Sequence, residues 1–148
     1  MAFLIIMMSS TFAQLLAFSG ASGGMIAWAA GADAAPTVIL LIMFATLLVL
    51  GMFMDQLSMM LLTVPVFIPL AQALDFDLVW VGVIMLLGLE ISLTTPPFGL
   101  LLFVMKGVAP PGIAMSDIYR AALPYIGCAL AVVALVMAVP DIALVLVR

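Results

Sequence analysis

The sequence predicts an all-α integral membrane protein with about three transmembrane helices, a re-entrant helical hairpin and one discontinuous helix. Of its 148 residues, 69% are hydrophobic and 7% are charged, whereas a soluble domain has roughly 45–50% apolar residues. Apolar runs of about 16–22 residues recur along the chain, close to the ~20 residues that one membrane crossing requires. Two adjacent prolines, Pro96 and Pro97, interrupt one of these runs.

The first half of the chain predicts a helix followed by a hairpin. Residues 2–19 form the helix, and a connection rich in Gly, Ser and Ala follows as far as residue 35. Pro36 then begins an apolar segment, as proline does in a first helical turn. Residues 36–74 are interrupted by GMFMDQLS at 51–58. They therefore predict two helical arms that are joined by a tip.

Two arrangements of this hairpin remain open. Either the arms are full spans joined by a solvated cytoplasmic turn, or they form a re-entrant hairpin whose tip stops inside the protein. The first arm has about 15 residues and a length of ~22 Å, which is short of a ~30 Å hydrocarbon core. This length favours the re-entrant hairpin.

The second half predicts a helix over residues 78–106 that is broken at SLTTPPFG, residues 92–99. The two prolines remove the backbone donors that would otherwise pair with the carbonyls of Ser92 and Leu93. In hydrocarbon each unpaired backbone group costs several kcal/mol, so such a break is tolerated only inside protein or beside a water-filled cavity. A plain proline kink is the alternative.

The residues of this break suit a small cation. Free carbonyls at Ser92 and Leu93 and the hydroxyls of Thr94 and Thr95 offer oxygen ligands at the negative end of a half-helix. These features favour Na⁺ as the ion. Beyond the break, the N–H groups of residues 99–101 begin the second half-helix and can face an anion.

Two carboxylates lie in or near these interruptions. Asp55 belongs to the hairpin tip, and Glu90 lies deep in an apolar run, one helical turn before Thr94. A charge at membrane depth costs ~2.5–3.5 kcal/mol even on insertion-derived scales, so an ionisable residue there is a functional candidate. A direct ion or proton role for Glu90 and a role in bracing the turn at Thr94 and Thr95 both remain open.

Composition and motifs disfavour several functions. The net charge is −4 and scattered, so no basic surface for nucleic acid is indicated. The chain has no histidine, which is the usual base for a serine nucleophile, and it has no phosphate-binding loop or metal-ligand motif. We therefore expect no enzyme activity and no organic cofactor. Lys106 and Arg120 bracket a loop that the positive-inside rule places in the cytoplasm, and a last helix follows over residues 116–140.

Three stretches carry a resemblance to a known family. They are GMFMDQLSMMLLTVPVFIPLAQAL, LEISLTTPPFGLLLFVMKGVAP and SDIYRAALPYI, in this order. Together they closely resemble the C-terminal part of the large permease subunit of TRAP transporters, the tripartite ATP-independent periplasmic (DctM-like) systems. Thr95 matches the T-P-P of that family, in which the position of Thr94 is often apolar.

The resemblance implies half of an inverted-repeat, elevator-type carrier fold. Residues 1–35 would then be a scaffold-type helix with its connection. The tip of the 36–74 hairpin would face the unwound loop of the 78–106 helix, and the pair would coordinate Na⁺ through Thr95, the Ser92 and Leu93 carbonyls and the tip at 51–56. The ion- and substrate-binding residues implied are Gly51, Asp55, Gln56, Thr94, Thr95, Pro96, Pro97 and Gly99. The sequence itself, rather than the resemblance, adds Glu90 and Ser92 as residues that support this site.

The same resemblance implies partners and a location. The family combines the large permease with a small four-helix membrane subunit and a soluble periplasmic binding protein. This binding protein delivers a small organic anion, such as a C4-dicarboxylate or a sugar acid. We therefore expect a multi-pass protein of the bacterial inner membrane that contributes to Na⁺-coupled import. The alternative is a truncated, non-transporting membrane fragment or an assembly subunit.

Overall fold

The computed structural model describes residues 2–20, 23–24, 27 and 35–145. The helices whose two ends are described are α1 (Ala2–Phe18), α2 (Pro36–Gly51), α3 (Gln56–Ala73), α4 (Leu78–Thr94), α5 (Leu100–Val108), α6 (Met115–Ala138) and α7 (Asp141–Leu144). No strand occurs in this part of the chain, which confirms the all-α class. Most of the predicted connection after α1 lies outside the described residues.

Two of these helices, α3 and α6, are long and apolar enough to cross a membrane, as judged by length and composition. Helices α2 and α4 are also apolar, but they are shorter, with 16 and 17 residues. At 1.5 Å per residue, α2 is about 24 Å long. The short first arm that the sequence predicts is therefore present in the structure.

The turn between α2 and α3 is tighter than the sequence predicts. Helix α3 begins at Gln56 rather than at Met59, because the Asp55 carboxylate accepts a hydrogen bond from the Ser58 N–H at 3.0 Å and caps the first turn. The interruption is thus confined to residues 52–55. Helix α3 then continues to Ala73 with two prolines inside it.

Helix α4 is the centre of the structure. It packs against α2, α3, α5, α6 and α7, while α1 packs against α3. Its buried residues point to more than one side, as expected for an apolar helix with neighbours around it. The core combines buried residues of α4 with buried residues of α2 and α3. From α2 these are Leu40 and Leu47, from α3 Met59 and Phe67, and from α4 Val81, Ile84 and Leu89.

A buried hydrogen bond joins the start of α4 to the end of α6. Pro140 has no N–H, so the carbonyl of Val136 lacks the donor that would continue the helix. The Trp80 Nε1–H supplies one instead, at 2.7 Å. The Trp80 ring also meets the ring of Phe76 edge-on, with centroids 5.6 Å apart. The end of α6 is therefore satisfied by a side chain 56 residues away.

Replacing Trp80 with phenylalanine should lower the stability of the protein by about 1–3 kcal/mol, because it leaves the buried Val136 carbonyl without a donor. The measurement is the melting temperature of the purified complete permease in detergent. Phe76→Leu is the control, since it changes the neighbouring ring and removes no hydrogen-bond donor. Equal melting temperatures for the two variants would show that the hydrogen bond adds nothing.

Helix α5 runs two residues beyond the predicted end at Lys106. It stops at Val108 because the next residue, Ala109, is extended, with ψ 146°, as the residue before a proline prefers to be. The last long helix begins at Met115 and ends at Ala138, close to the predicted range.

Candidate functional site

The hairpin tip meets α4 at Gly51 and Ser92. Gly51 is the last residue of α2 and is buried, and Ser92 is 0% exposed. A Cβ atom on Gly51 would lie 2.0 Å from the Ser92 Oγ and 2.3 Å from the Ser92 Cβ. Only glycine permits this approach. The structure thus places a predicted tip residue against a predicted residue of the break.

An aromatic contact also joins the tip to the break. The rings of Phe53 and Phe98 have centroids 5.3 Å apart and are tilted by 35°, a favourable aromatic geometry. Both side chains are largely exposed. Phe53 lies in the predicted tip, whereas Phe98 is not singled out by the sequence. The sequence offers one signal for this contact, which is that Phe53 and Phe98 are both aromatic residues inside a helix interruption.

The break itself is a true interruption rather than a kink. Helix α4 ends at Thr94, Thr95 is extended with φ −83° and ψ 124°, and α5 begins at Leu100. The Gly99 N–H donates to the Thr95 carbonyl at 3.1 Å and closes the intervening turn. Gly99 is therefore not among the N–H groups that can face an anion, which leaves those of Leu100 and Leu101.

The prediction that the Ser92 carbonyl is free is wrong. It accepts the Thr95 N–H at 3.3 Å, because the last turn of α4 tightens to an i→i+3 bond, as helix ends commonly do. Within the described residues, no donor reaches the carbonyls of Leu93 and Thr94. The free carbonyls are thus shifted by one residue from those predicted.

Two carbonyl oxygens converge beside Gly99. A Cβ atom on Gly99 would lie 2.6 Å from the Leu93 oxygen and 2.9 Å from the Thr95 oxygen. The backbone angles of Gly99, φ −47° and ψ 114°, are open to any residue. Glycine is needed here for space rather than for conformation. Chemically, converging carbonyl oxygens of this kind suit a hard cation.

The two threonine hydroxyls are held by the helix end. Those of Thr94 and Thr95 both donate to the Ile91 carbonyl, at 2.9 and 2.7 Å. Each hydroxyl oxygen keeps lone pairs with which to accept or to coordinate. Their orientation is therefore fixed from within α4.

Glu90 does not brace this turn. Its side chain is exposed, while the next two residues of α4 are buried. The hydroxyls that it was expected to support donate to the Ile91 carbonyl instead. The supporting role predicted for Glu90 is thus filled by backbone. A direct ion or proton role for Glu90 stays a prediction.

The polar residues of the tip are less closely joined to the break. The Asp55 carboxylate caps α3 by accepting the Ser58 N–H. None of the hydrogen bonds found in the described ranges connects Asp55 or Gln56 to residues 94–99. Tip and break meet through Gly51 and Phe53.

One residue of the site carries no sequence signal. The Tyr119 hydroxyl of α6 donates to the Pro97 carbonyl, at 2.8 Å. The two residues are 22 positions apart in the chain, and neither the spacing nor the residue type predicts the contact. Only the fold brings α6 to the break.

Comparison with known proteins identifies the family. Residues 1–142 match the model of the family described as tripartite ATP-independent periplasmic transporter, DctM component. The C4-dicarboxylate TRAP transporter large permease protein DctM of Pseudomonas aeruginosa is 33% identical over 142 residues, which are 96% of this chain and 33% of that protein.

Two relatives are named for another solute. The sialic acid TRAP transporter large permease protein SiaM of Vibrio cholerae is 38% identical over 75% of this chain and 26% of its own length. For the sialic acid TRAP transporter permease protein SiaT of Haemophilus influenzae, the identity is 36% over 62% of this chain and 14% of its own.

The chain spans a third or less of the length of each of these relatives. The match nevertheless includes the hairpin, the break and the start of α6. The chain belongs to the DctM component family of the tripartite ATP-independent periplasmic transporters.

Proposed function

We propose that this segment forms a Na⁺ site and part of an organic-anion site in the large permease of a Na⁺-driven TRAP importer. The observation that carries the proposal is the meeting of two helix interruptions, with Gly51 against Ser92 and Phe53 against Phe98. Broken backbone is costly in a membrane unless something satisfies it. An ion at this place would do so.

The oxygens of the break support the choice of ion. Carbonyls of Leu93 and Thr94 have no donor among the described residues, and the Leu93 oxygen converges with the Thr95 carbonyl oxygen beside Gly99. The Thr95 hydroxyl belongs to the same turn. All are neutral, hard oxygen ligands at the carboxyl end of α4, where the helix dipole favours a cation. We propose that the ion lies on the tip side of the break, with Thr95 as a ligand.

The substrate class follows from the other half of the break. The amino end of α5 presents N–H groups at Leu100 and Leu101, and such an end favours an anion. The relatives above are named for C4-dicarboxylate and for sialic acid, which are both organic acids. We propose a small organic anion as the transported solute.

The complete system would contain more than this segment. A small four-helix membrane subunit, a periplasmic binding protein that delivers the anion, and the remainder of the large permease would complete an importer of the bacterial inner membrane. The hairpin would be re-entrant, and the segment would move as half of an elevator-type transport domain.

The test of the ion site is Thr95→Ala. The complete transporter containing this segment is reconstituted in proteoliposomes, and uptake is measured against Na⁺ concentration. Loss of an oxygen contact to a charge is worth about 1.5–3 kcal/mol, so the half-saturating Na⁺ concentration should rise roughly tenfold or more. Thr95→Ser keeps the hydroxyl and should stay near the wild type.

Thr46→Ala is the matched control. The Thr46 hydroxyl donates to the Ile42 carbonyl of its own helix at 2.8 Å, the same local bond that Thr95 makes to Ile91. If the Thr95→Ala and Thr46→Ala transporters showed the same Na⁺ dependence as the wild type, Thr95 would not be a ligand. Uptake by the wild type without any Na⁺ would reject the coupling itself.

A further inference from the structure

We infer that Tyr119 is a positioning residue for the helix break and that its hydroxyl sets the affinity of the proposed Na⁺ site without touching the ion. The inference rests on the proposed function, because it concerns the ion site assigned there. It is carried by a hydrogen bond between α6 and the break, together with the few side chains that α5 buries within this segment.

The hydrogen bond is the first observation. The Tyr119 hydroxyl donates to the Pro97 carbonyl at 2.8 Å. Within the described residues it is the one hydrogen bond that joins residues 95–99 to a helix other than the flanking α4 and α5. The remaining bonds of the break connect it to itself, to the end of α4 or, through the Leu102 N–H that donates to the Gly99 carbonyl, to α5.

The packing of α5 is the second observation. Leu102 is the only buried residue of its nine. A cavity of about 590 Å³ lies between α5 and α6. It is lined by apolar residues that include Leu101, Met105 and Ile118. Within this segment, α5 therefore contributes few buried side chains to the contacts with its neighbours.

Two hydrogen bonds link α5 and the residues just before it to other parts of the chain, one near each end of α5. Tyr119 holds the carbonyl of Pro97 before the helix starts. Near the other end, the Lys106 ammonium donates to the carbonyl of Ile113. Of these two, only the bond from Tyr119 acts on the break.

Pro97 lies two residues before Gly99, where the oxygens of Leu93 and Thr95 converge. The Gly99 N–H is itself bound to the Thr95 carbonyl. A shift of Pro97 therefore moves the point at which these oxygens meet. Without the Tyr119 hydroxyl, the break would occupy the ion-binding arrangement for a smaller fraction of the time. The apparent affinity for Na⁺ falls by that fraction.

The experiment compares Tyr119→Phe with Tyr125→Phe in the complete transporter. Tyr125 lies on the same helix as Tyr119 and lines the cavity between α5 and α6, and it makes no hydrogen bond within the described part of the chain. Each variant removes one phenolic hydroxyl and keeps the ring. Uptake in proteoliposomes is measured against Na⁺ concentration, and melting temperatures are recorded in detergent.

For Tyr119→Phe we expect the half-saturating Na⁺ concentration to rise roughly two- to tenfold, the range given by the loss of one hydrogen bond. The maximal uptake rate should change little. Tyr125→Phe should match the wild type in both. If a variant shows no uptake, its melting temperature is measured at increasing Na⁺ concentrations instead. The Na⁺ concentration that gives half of the maximal rise in melting temperature then reports the affinity.

Three results would overturn the inference, and they differ from failure of the proposed function. A Tyr119→Phe transporter with unchanged Na⁺ dependence removes the positioning role. A lower melting temperature with an unchanged half-saturating Na⁺ concentration reduces Tyr119 to a structural contact. An equal rise of the half-saturating Na⁺ concentration in Tyr125→Phe would show that the effect does not depend on the hydrogen bond to Pro97. By contrast, wild-type uptake that does not depend on the Na⁺ concentration would reject the proposed function.

Discussion

The Gly51→Ala transporter is expected to lose most of its activity, with uptake reduced roughly tenfold or more. The added Cβ would lie 2.3 Å from the Ser92 Cβ and closer still to its hydroxyl. A hydroxyl can rotate away, but a Cβ cannot, and Ser92 has no free space because it is fully buried. The tip must therefore move away from α4, at a cost of about 1–3 kcal/mol or more.

Second-site changes separate this collision from other causes. Gly51→Ala with Ser92→Gly removes the Cβ that collides and should recover part of the uptake. Gly51→Ala with Ser92→Ala keeps that Cβ and should not. Gly82→Ala is the control, since a Cβ at Gly82 on α4 meets nothing within 4 Å. Recovery by Ser92→Ala as well as by Ser92→Gly would contradict the explanation.

The second large effect is expected for Gly99→Ala. Its Cβ would lie 2.6 Å from the Leu93 oxygen and 2.9 Å from the Thr95 oxygen. These are backbone atoms, so no side chain can rotate out of the way. The backbone of the break must rearrange around the added Cβ, and the half-saturating Na⁺ concentration should rise roughly tenfold or more. Uptake against Na⁺ concentration is again the measurement.

The backbone angles of Gly99 make this result specific. Alanine can adopt φ −47° and ψ 114°, so strain does not enter. Gly107→Ala is the matched control within α5, because a Cβ there meets no atom within 4 Å, and alanine stabilises a helix relative to glycine by up to about 1 kcal/mol. Normal Na⁺ dependence in Gly99→Ala would mean that the oxygens beside Gly99 do not hold the ion.

Local chemistry was enough to locate the interruptions. Pro36 marks the start of α2, and the pair Pro96–Pro97 marks the end of α4, because proline acts on the backbone within one turn of its own position. The apolar runs likewise predicted the helices, since each run has to be buried or placed in lipid. The pairing of tip with break was implied by the family resemblance, and the structure brings Gly51 and Ser92 together.

The details of the helix ends were predicted less well. For Asp55 the sequence leaves open a solvated turn or a tip inside the protein, and the structure adds that its carboxylate caps α3 through the Ser58 N–H. The capping role was visible in principle, because aspartate three residues before serine can accept that N–H. The free carbonyls were misplaced by one residue because sequence cannot tell an i→i+4 end from an i→i+3 end.

Contacts between distant parts of the chain were not predictable at all. Phe98 meets Phe53 across the tip, and Tyr119 reaches Pro97 from α6. Each contact depends on how helices pack, and a single sequence with nearly uniform apolar helices contains no signal for that packing. Local rules can therefore find the site residues that lie in the helix interruptions. They cannot find residues of other helices, such as Tyr119, that contact those interruptions.

The bond from Trp80 to Val136 has a mechanical consequence when it is taken together with the bond from Tyr119 to Pro97. The two bonds join α4 with its break to α6 at opposite ends. On each chain segment they are roughly 17 residues apart, or about 25 Å along a helix. Helices that are joined at two such distant points cannot slide past each other without breaking one of the bonds. We therefore expect α4 with its break to move together with α6.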